Sequence, residues 1–506
     1  MNNSFNKILP DFDEISSSQL PALVQLANMG YEYLPRHKAM EMRGNNTREY
    51  ILHDIAFNAL RRINSKDISD QSIKEAIAAL SKPHMDNGII KASEQIYSYL
   101  TAGCSVQEFI NGKKQSPQLR FIDFENPQNN SFHATAEFEI SGDASRRPDI
   151  VLFVNGIPVA VIECKKPSVP VKEAITQMLR NQQGGQVPVF FLYAQILAAT
   201  NRQYFKYGTM LTPASFYSEW KIRGEDSFVS SMEQQALESQ NTPLKRPLLQ
   251  VIRQDLYHSS YKQEKIPLNA QNTGIFCLFS PKNLLEIMRN YIIYDNGKKK
   301  IARYQQYYAV KNILERIKDK DENGRRKGGL VWHTQGSGKS LTMVMLVKNI
   351  MEIVNRPRII VVTDRTQLDN QIRDVFAACS IKKDVIQAES SSHLKKLIED
   401  KNLNVITTLI HKFAEMKYPL YVDNDPDIFV LTDEAHRTQS GIGRGNMLQM
   451  LPKACVLGFT GTPLMKKDKT NSIQQFGGLI DAYTISEAQV SAHTDDHIFN
   501  PPPSGI

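Results

Sequence analysis

The spacing of hydrophobic positions changes along the chain, and each spacing predicts a different kind of element. Up to about residue 101, apolar residues recur at helical intervals, as on the buried face of amphipathic helices. The helices predicted there are Gln19–Met29, Arg48–Arg62, Ser72–Leu80 and Ala92–Thr101. From Leu119 the apolar runs shorten, which predicts the strands Phe121–Phe124, Ala134–Ile140, Ile150–Val154 and Val159–Cys164. A helix over Val171–Arg180 and a buried strand over Val187–Ala194 should follow.

The second half of the chain has the alternation of helices and strands that forms a parallel sheet. Residues from about Pro213 to Ile266 are polar and mixed, and they indicate a small helical insertion. From Asn283 onward, helix and strand patterns alternate as in βαβ units. The strands predicted there are Leu330–Trp332, Ile359–Thr363, Val405–Thr408, Ile428–Thr432 and Ala454–Thr460. We therefore predict an α/β protein with a mixed sheet and helices in 1–212, a helical connector in 213–282, a parallel α/β domain in 283–489 and a disordered tail in 490–506.

Composition adds few constraints to this picture. A chain of 506 residues is too long for a single core, and about three domains is the expectation. The net charge of +8 weakly favours a polyanionic partner such as nucleic acid. No apolar run reaches the ~18 residues of a membrane span, and the polar N-terminus lacks the apolar core of a signal peptide. Five scattered cysteines favour reduced thiols in the cytoplasm over a zinc site.

A phosphate-binding loop is indicated by residues 333–340, which follow a predicted strand. Its two glycines allow a tight turn whose backbone N–H groups can face phosphate oxygens, and the next helix adds its positive N-terminal end. Lys339 would reach the β- and γ-phosphates, and the hydroxyl of Ser340 could hold Mg²⁺. The residues expected to bind nucleotide are Gly336, Ser337, Gly338, Lys339 and Ser340. The strict pattern has glycine where His333 stands, and a glycine-rich turn without function is the alternative.

An acidic pair at the end of a later strand supplies the second half of a nucleoside-triphosphate site. Asp433 and Glu434 follow the predicted strand Ile428–Thr432, about a hundred residues after Lys339. Asp433 can hold Mg²⁺ through water, and Glu434 can activate the attacking water as a catalytic residue. Alone, such a pair is often a solvated loop. In this order and together, the two halves predict that the chain, or a longer protein from which it was cut, hydrolyses ATP.

A second candidate site lies upstream, in the apolar strands that flank Asn155-Gly156, a strong hairpin signal. Three charged residues within these strands, Asp149, Glu163 and Lys165, form what we call the hairpin cluster. Buried charges are costly unless they pair or bind metal. Asp149 and Glu163 could together hold Mg²⁺, while Lys165 could orient or help deprotonate a water that attacks a phosphate. All three are predicted to be catalytic, with the two carboxylates as metal ligands.

The geometry of the hairpin imposes a condition on this hypothesis. A plain two-residue turn at Asn155-Gly156 pairs residue 149 with residue 162, so Asp149 and Glu163 would lie on opposite faces of the sheet. Sharing a metal ion requires a longer loop, a bulge or a sharp bend, and we predict such an irregularity. The alternative is an edge hairpin with ordinary rim charges and a salt bridge between Asp149 and Lys165.

The motifs resemble those of two known families. The hairpin is similar to the PD-(D/E)xK fold of restriction endonucleases, with Pro148-Asp149 and Glu163-Cys164-Lys165 as the motif. The later segment resembles the first RecA-like motor lobe of superfamily 2 helicases and translocases. Its matching segments are His333–Ser340 for motif I, Val362–Leu368 for motif Ia, Thr407–Phe413 for the next DNA-contacting segment, Asp433–His436 for motif II and Thr460–Pro463 for motif III. Either Gln305 or Gln306 would serve in the adenine-reading motif, which resembles Arg303–Gln306.

A nuclease followed by a motor in one chain is similar to the restriction (R) subunit of type I restriction–modification enzymes, over nearly all residues up to about Glu487. The resemblance implies ATP-dependent translocation of double-stranded DNA and Mg²⁺-dependent endonucleolytic cleavage away from the recognition site. It also implies ATP and Mg²⁺ as cofactors and methyltransferase and specificity subunits as partners, without a membrane. Type III restriction subunits place the nuclease after the motor, so the order argues against them.

Two departures from this family pattern are visible. The nuclease helix of the family usually carries Gln, three residues and then Tyr, whereas Gln177 is followed by Asn181. Gln177 could face the metal site or the DNA backbone, or it could lie on a solvated face of its helix. Family members continue into a second motor lobe, and we expect this chain, which stops at Ile506, to lack it. The competing hypotheses are a repair helicase–nuclease of another superfamily 2 family and an inactive DNA-binding fragment.

Overall fold

The computed structural model describes residues 13–295, 297–364, 385–416, 421–433, 442–461, 473–484 and 486–487. The chain forms two compact units, of which the first is Met1–Ile292 with Gly297–Ile301 and the second is Ile293–Asn296 with Ala302–Ile506. The main division thus lies close to residues 292–302, and the segment 213–282 falls within the first unit. The finer boundaries remain predictions, and the tail predicted for 490–506 lies outside the described residues.

The helices of the first unit follow the amphipathic stretches of the sequence. They are α1 (Leu20–Asn28), α2 (Arg36–Glu41), α3 (His53–Ile63), α4 (Asp70–Ser81), α5 (Ile89–Ala102), α6 (Val171–Asn181), α7 (Pro188–Phe191), α8 (Asp226–Asn241), α9 (Arg246–Asp255), α10 (Ala270–Phe279) and α11 (Pro281–Asn290). In α6 the buried residues Val171, Ala174, Ile175 and Met178 lie at helical spacing, which places one apolar face against the sheet.

The first unit is built around a mixed sheet. The strands of this unit are β1 (Glu32–Tyr33), β2 (Cys104–Ser105), β3 (Glu108–Ile110), β4 (Lys113–Gln115), β5 (Gln118–Leu119), β6 (Phe132–Ala136), β7 (Ile140–Ser141), β8 (Ser145–Arg146), β9 (Ile150–Val154), β10 (Ile157–Cys164), β11 (Ile196–Thr200), β12 (Phe205–Gly208) and β13 (Ser218–Glu219). Seven of them form a sheet in the order β1-β6-β9-β10-β11-β12-β13. The pairs β1–β6 and β10–β11 are parallel, and the other neighbours are antiparallel.

The hairpin of β9 and β10 occupies the interior of this sheet. Every residue of both strands is buried, which explains their continuous apolar runs, because a strand covered on both faces has no solvent side. Helix α6 packs against β10 and β11. The hairpin cluster therefore lies at the end of two central strands, beneath a packed helix.

Helices α8 to α11 belong to the first unit through specific packing and hydrogen bonds. Helix α10 packs against α1 and α8. The side chain of Gln271 in α10 donates from Nε2 to the carbonyl of Ser18 at 2.9 Å and accepts from the Ser18 hydroxyl at 2.7 Å. Asn269 and Asn272 form a reciprocal cap at the start of α10, which satisfies N–H groups that the helix leaves free.

A parallel sheet forms the second unit, as the alternation in the sequence predicts. The strands β14 (Ile292–Asp295) and β15 (Lys298–Ile301) fall at the division between the units. The sheet of the second unit consists of β16 (Gly329–His333), β17 (Arg358–Thr363), β18 (Val385–Gln387), β19 (Val405–Leu409), β20 (Ile428–Thr432), β21 (Cys455–Thr460) and β22 (Leu479–Tyr483). The seven strands lie in the order β18-β19-β17-β20-β21-β16-β22, and all neighbours are parallel. The helices are α12 (Tyr304–Arg316), α13 (Lys339–Ile353) and, further along, Ser391–Glu399, Ile410–Ala414 and Ile442–Met450.

Two predicted strands are absent from their expected places. Residues Val187–Ala194 contain the short helix α7 instead of a strand, because Pro188 has no N–H to donate to a sheet and fits the first helical position. Residues Phe121–Phe124 also form no strand. There Asp123 accepts the backbone N–H groups of Glu125 and Asn126 at 3.1 and 3.0 Å, which bends the chain into a turn. None of the described helices combines the length and hydropathy that a membrane crossing requires.

Candidate active sites

The irregularity predicted for the hairpin is present, next to its turn. The turn has left-handed φ angles of 50° at Asn155 and 74° at Gly156. The pairing of β9 with β10 shifts by one residue between Pro158 and Ala160. This shift is a β-bulge, in which one extra residue on β10 has no partner on β9. The prediction of a register irregularity is therefore confirmed.

The bulge places the two carboxylates opposite each other. Beyond it Ile150 pairs with Ile162, so the next residues outward are Asp149 and Glu163. The Asp149 carboxyl lies close enough to raise the pKa of Glu163, and Asp149 Oδ2 accepts the backbone N–H of Cys164 at 2.6 Å. The alternative of an edge hairpin with rim charges is wrong, because β9 and β10 lie inside the sheet and both carboxylates are buried.

The two carboxylate oxygens of Glu163 differ in their hydrogen bonding. Its Oε2 accepts a hydrogen bond from Gln177 Nε2 at 2.9 Å, so Gln177 faces the hairpin cluster and not solvent. Its Oε1 is buried and has no hydrogen-bond partner in the described part of the chain. Asn181, at the position where the resemblance predicts tyrosine, accepts a hydrogen bond from Arg146 Nε at 3.1 Å.

Two residues near the start of the described chain contact the hairpin cluster. Lys165 Nζ forms an ion pair with Glu14 Oε1 at 3.3 Å, and Gln19 Nε2 donates to the main-chain carbonyl of Asp149 at 2.7 Å. A single π-helical turn, Ile15–Gln19, precedes α1 and positions them. Neither residue was predicted from the sequence, because more than a hundred residues separate each from its partner in the hairpin and no local motif marks it.

The hairpin cluster holds its carboxyl groups in an environment that disfavours their charge. Burial outweighs the Cys164 N–H and the Lys165 ammonium and raises the pKa of Asp149 to about 7. Burial, together with the neighbouring Asp149, raises the pKa of Glu163 well above its usual value. Burial also acts to lower the pKa of Lys165, but Asp149, Glu14 and Glu163 outweigh it and raise this pKa. A cation placed between the carboxylates would relieve their repulsion.

The residues of the hairpin cluster fit a divalent cation of the Mg²⁺ type. In the residues that the structure describes, no three His, Cys, Asp or Glu side chains are grouped as a metal site. The cluster instead offers two facing carboxylates, one of whose oxygens, Glu163 Oε1, has no hydrogen-bond partner among the described residues. Mg²⁺ commonly binds through one or two carboxylates and keeps several waters, which matches this donor set.

The phosphate loop of the second unit lies between β16 and α13, as predicted. Gly336 and Gly338 have φ angles of 83° and 86°, in the left-handed region that glycine adopts without strain. Helix α13 begins at Lys339, and Ser340 follows in its first turn, half-buried. The Lys339 ammonium lies against Gly461, where an added Cβ would be 2.6 Å from Nζ. The lysine thus occupies the space that a side chain at position 461 would need.

The two adjacent glutamines of α12 have different surroundings. Gln306 Nε2 donates to the carbonyls of Ser337 and Gly338 at 3.3 and 3.2 Å, and its Oε1 accepts the Arg303 N–H at 2.9 Å. Gln306 therefore braces the phosphate loop. Gln305 is buried, and its Oε1 has no hydrogen-bond partner in the described segments. That one of these two glutamines reads adenine stays a prediction, and the choice between them is open.

Asp433 follows a central strand of the second sheet and lies at the same end of that sheet as the phosphate loop. It follows β20 directly, is buried, and its backbone N–H donates to the Val362 carbonyl at 3.0 Å. Strand β21 lies between β20 and β16, and the carboxyl ends of parallel strands meet at one edge. The predicted catalytic residue Glu434 lies outside the described residues, as do 365–368, 435–436 and 462–463 of the predicted motifs.

His333, the residue that departs from the phosphate-loop pattern, has a contact that glycine could not make. It is the last residue of β16, its ring is fully buried, and its Nε2 lies 2.9 Å from Asp481 Oδ2. Asp481 belongs to β22, the edge strand beside β16. The imidazole therefore links the strand before the phosphate loop to the edge of the sheet.

The first unit thus contains a buried pair of facing carboxylates beside a lysine, and the second contains a phosphate loop at the end of a parallel sheet. Residues 11–216 match the family model of the type I restriction enzyme R protein N terminus, and residues 305–499 match that of the SWI2/SNF2 ATPase. The two matches stand in the order that the sequence predicts, and together with the relatives described next they show similarity to type I restriction endonuclease (R) subunits.

Curated relatives extend this similarity over most of the chain. A type I restriction enzyme endonuclease subunit of Methanocaldococcus jannaschii is 29% identical over 494 residues, which cover 92% of this chain and 44% of the relative. The HindI endonuclease subunit of Haemophilus influenzae is 28% identical over 504 residues, with the same coverage of 92% and 44%. The chain thus spans less than half the length of these relatives. The solved SWI2/SNF2 ATPase core of Sulfolobus solfataricus in complex with dsDNA is 16% identical, covers 42% of this chain and 45% of that one, and has a TM-score of 0.28.

Proposed function

We propose that this chain is the nuclease and motor portion of a type I restriction subunit. In the complete enzyme it translocates double-stranded DNA with ATP and cuts it, with Mg²⁺, away from the recognition site. Methyltransferase and specificity subunits are its proposed partners, and the specificity subunit reads the DNA sequence. The observation that carries the nuclease part is the β-bulge between Pro158 and Ala160, because it places Asp149 opposite Glu163.

In the proposed nuclease site each residue of the hairpin cluster has a separate task. Asp149 and Glu163 would hold Mg²⁺, which when bound supplies positive charge to offset the charge developing on the scissile phosphate. Gln177 orients the Glu163 carboxylate through its 2.9 Å hydrogen bond. The raised pKa of Lys165 favours its charged form, so this ammonium orients the attacking water and stabilises phosphate charge.

In the proposed ATPase site the phosphate loop binds the nucleotide. The N–H groups around Gly336 and Gly338 and the ammonium of Lys339 would bind phosphate oxygens. Ser340 and Asp433 would hold the Mg²⁺ that accompanies ATP, which offsets charge on the transferred phosphate. Ser337 Oγ is buried without a hydrogen-bond partner in the described chain, so it has an unused donor at this loop. Glu434 is the proposed base for the attacking water.

Two substitutions separate the proposed activities in the full-length subunit assembled with its proposed partners. Lys339→Ala should abolish ATP hydrolysis and translocation, and it should leave Mg²⁺ binding by the hairpin cluster unchanged. Glu163→Gln should abolish DNA cleavage, measured on a plasmid substrate, and it should leave ATP hydrolysis intact. If either single change removed both ATP hydrolysis and Mg²⁺ binding at the hairpin, the two sites would not be independent and the proposal would fail.

A further inference from the structure

A polar groove in the first unit lies outside the hairpin cluster and the phosphate loop. Its walls are the end of α8, helix α9 and the extended segment 259–265, and its volume is about 990 Å³. Four cationic side chains line it, Arg246, Arg253, Lys262 and Lys265, against the single carboxylate of Glu264. We call this surface the basic groove. Its excess of positive charge indicates an anionic ligand.

The cations of the basic groove have no ion-pair partner within the part of the chain that the structure describes. No ion pair there includes Arg246, Arg253, Lys262 or Lys265. Arg253 Nε is buried and has no hydrogen-bond partner among these residues. A buried guanidinium donor without an acceptor is unfavourable, and a ligand oxygen would satisfy it.

The acidic residue of α9 has other partners and does not offset this charge. Asp255 Oδ1 forms an ion pair with Arg36 Nε at 3.4 Å, and its Oδ2 accepts from the Tyr33 hydroxyl at 2.6 Å. Burial, together with the nearby Glu264 carboxylate, raises the pKa of Tyr261 in the groove to about 12, and a further cation, Arg202, lies close enough to act against this rise. Cationic side chains on both α9 and the opposing segment thus give the groove a net positive charge.

The spacing of the cations fits a linear polyanion better than a single phosphate. Arg246 and Arg253 are seven residues apart on one helix, which corresponds to roughly 10 Å along its axis. Lys262 and Lys265 lie on the opposing segment. One phosphate cannot reach both ends of α9, whereas successive phosphates of one strand can. Arginine also binds phosphate through two parallel hydrogen bonds.

Polar contacts connect one wall of the basic groove to the hairpin cluster. His258, just after α9, contacts Asp13 with 2.7 Å between Nε2 and Oδ2. The next residue along the chain, Glu14, forms the ion pair with Lys165. We propose that the basic groove binds the phosphate backbone of the DNA that leads to the scissile bond. This proposal deepens the proposed nuclease function and rests on it.

The test is binding of the intact chain to a fluorescein-labelled DNA duplex, measured by fluorescence anisotropy over a range of salt concentrations in EDTA. Each lost phosphate contact lowers the slope of log affinity against log salt by about 0.9. The double variant Arg253→Gln with Lys262→Gln should therefore lose about 1.8 of this slope and bind at least about tenfold more weakly at low salt. The matched control, Lys113→Gln with Lys114→Gln, removes the same charge from the exposed strand β4 and should bind as the parent does.

The outcomes separate this proposal from the proposed function. If the groove variant bound with the affinity and slope of the parent, the groove assignment would be wrong while the nuclease proposal stood. If the parent failed to bind any duplex, both would fail. Inorganic tripolyphosphate should compete only weakly, and full competition at stoichiometric amounts would replace the backbone assignment with a small-anion site. Should Arg253→Gln unfold the chain, the exposed pair Lys262→Gln with Lys265→Gln provides the same readout.

Discussion

Without metal, the first unit should lose stability as the pH rises from about 5.5 to about 8.5. The pKa of Asp149 is about 7 in the folded protein, against an ordinary value of 3.8. A carboxyl whose folded pKa is raised stabilises the fold below its unfolded pKa, and this contribution is lost as the pH rises to the folded pKa. The interval from about pH 5.5 to pH 7 spans roughly 1.5 pH units. Over this interval the unfolding free energy should fall by ~2 kcal/mol. The raised pKa of Glu163 acts in the same direction.

Urea unfolding in EDTA, followed by tryptophan fluorescence, measures this loss. The chain has two tryptophans, and replacing Trp332 of the second unit with Phe leaves Trp220 as the reporter of the first unit. Asp149→Asn should remove the Asp149 share of the decline, ~2 kcal/mol, because asparagine can still accept the Cys164 N–H but does not ionise.

A second carboxyl of the first unit provides the control. Burial acts to raise the pKa of Glu49, but hydrogen bonds from His53 and the Ile51 N–H outweigh it and lower the pKa. Glu49→Gln should therefore leave the decline in place. Magnesium chloride should restore stability more at about pH 8.5 than at about pH 5.5, since only ionised carboxylates bind the metal. Equal declines in the parent and in Asp149→Asn would refute the reasoning.

Two glycine substitutions test the close contacts of the two sites. Gly156→Ala should cost about 1–3 kcal/mol of stability, because φ is 74° and the new Cβ would lie 2.6 Å from the Leu52 carbonyl oxygen; the same urea assay measures this loss, and an unchanged midpoint would contradict it. Gly461→Ala should displace Lys339 and weaken binding of a fluorescent ATP analogue about tenfold, or ~1.4 kcal/mol. Gly445→Ala, whose Cβ meets nothing within 4 Å, should bind the analogue as the parent does.

Elements with a strong local period could be predicted from the sequence to within a residue or two. The strands Ile150–Val154 and Ile428–Thr432 lie at their predicted bounds, because a fully buried strand reads as an unbroken apolar run between polar residues. The phosphate loop was also predictable, since its chemistry lies in adjacent residues. The strand predicted at Val187–Ala194 was wrong. This apolar run contains a short helix, because it includes a proline that favours the first helical position.

What could not be predicted depends on residues that are far apart in the chain. The sequence required an irregularity between Asp149 and Glu163, but it did not place the bulge at Pro158–Ala160, since the β-pairing alone determines where the extra residue falls. The contacts of Glu14 and Gln19 with the hairpin cluster follow from tertiary packing. No period or motif in their own segment marks them.

The bulge also makes the proposed nuclease sensitive to a change that leaves every signature residue in the sequence. Inserting a single codon after Ala160, with the bulge kept, would shift Glu163 by one place along β9 and turn it to the face opposite Asp149. Such a protein would still carry Asp149, Glu163 and Lys165 in the right order, with only their spacing lengthened by one residue. A gene of this kind would be read as an intact nuclease although its product could not assemble the site. Hairpin length is therefore as diagnostic of a working enzyme here as the identity of the charged residues.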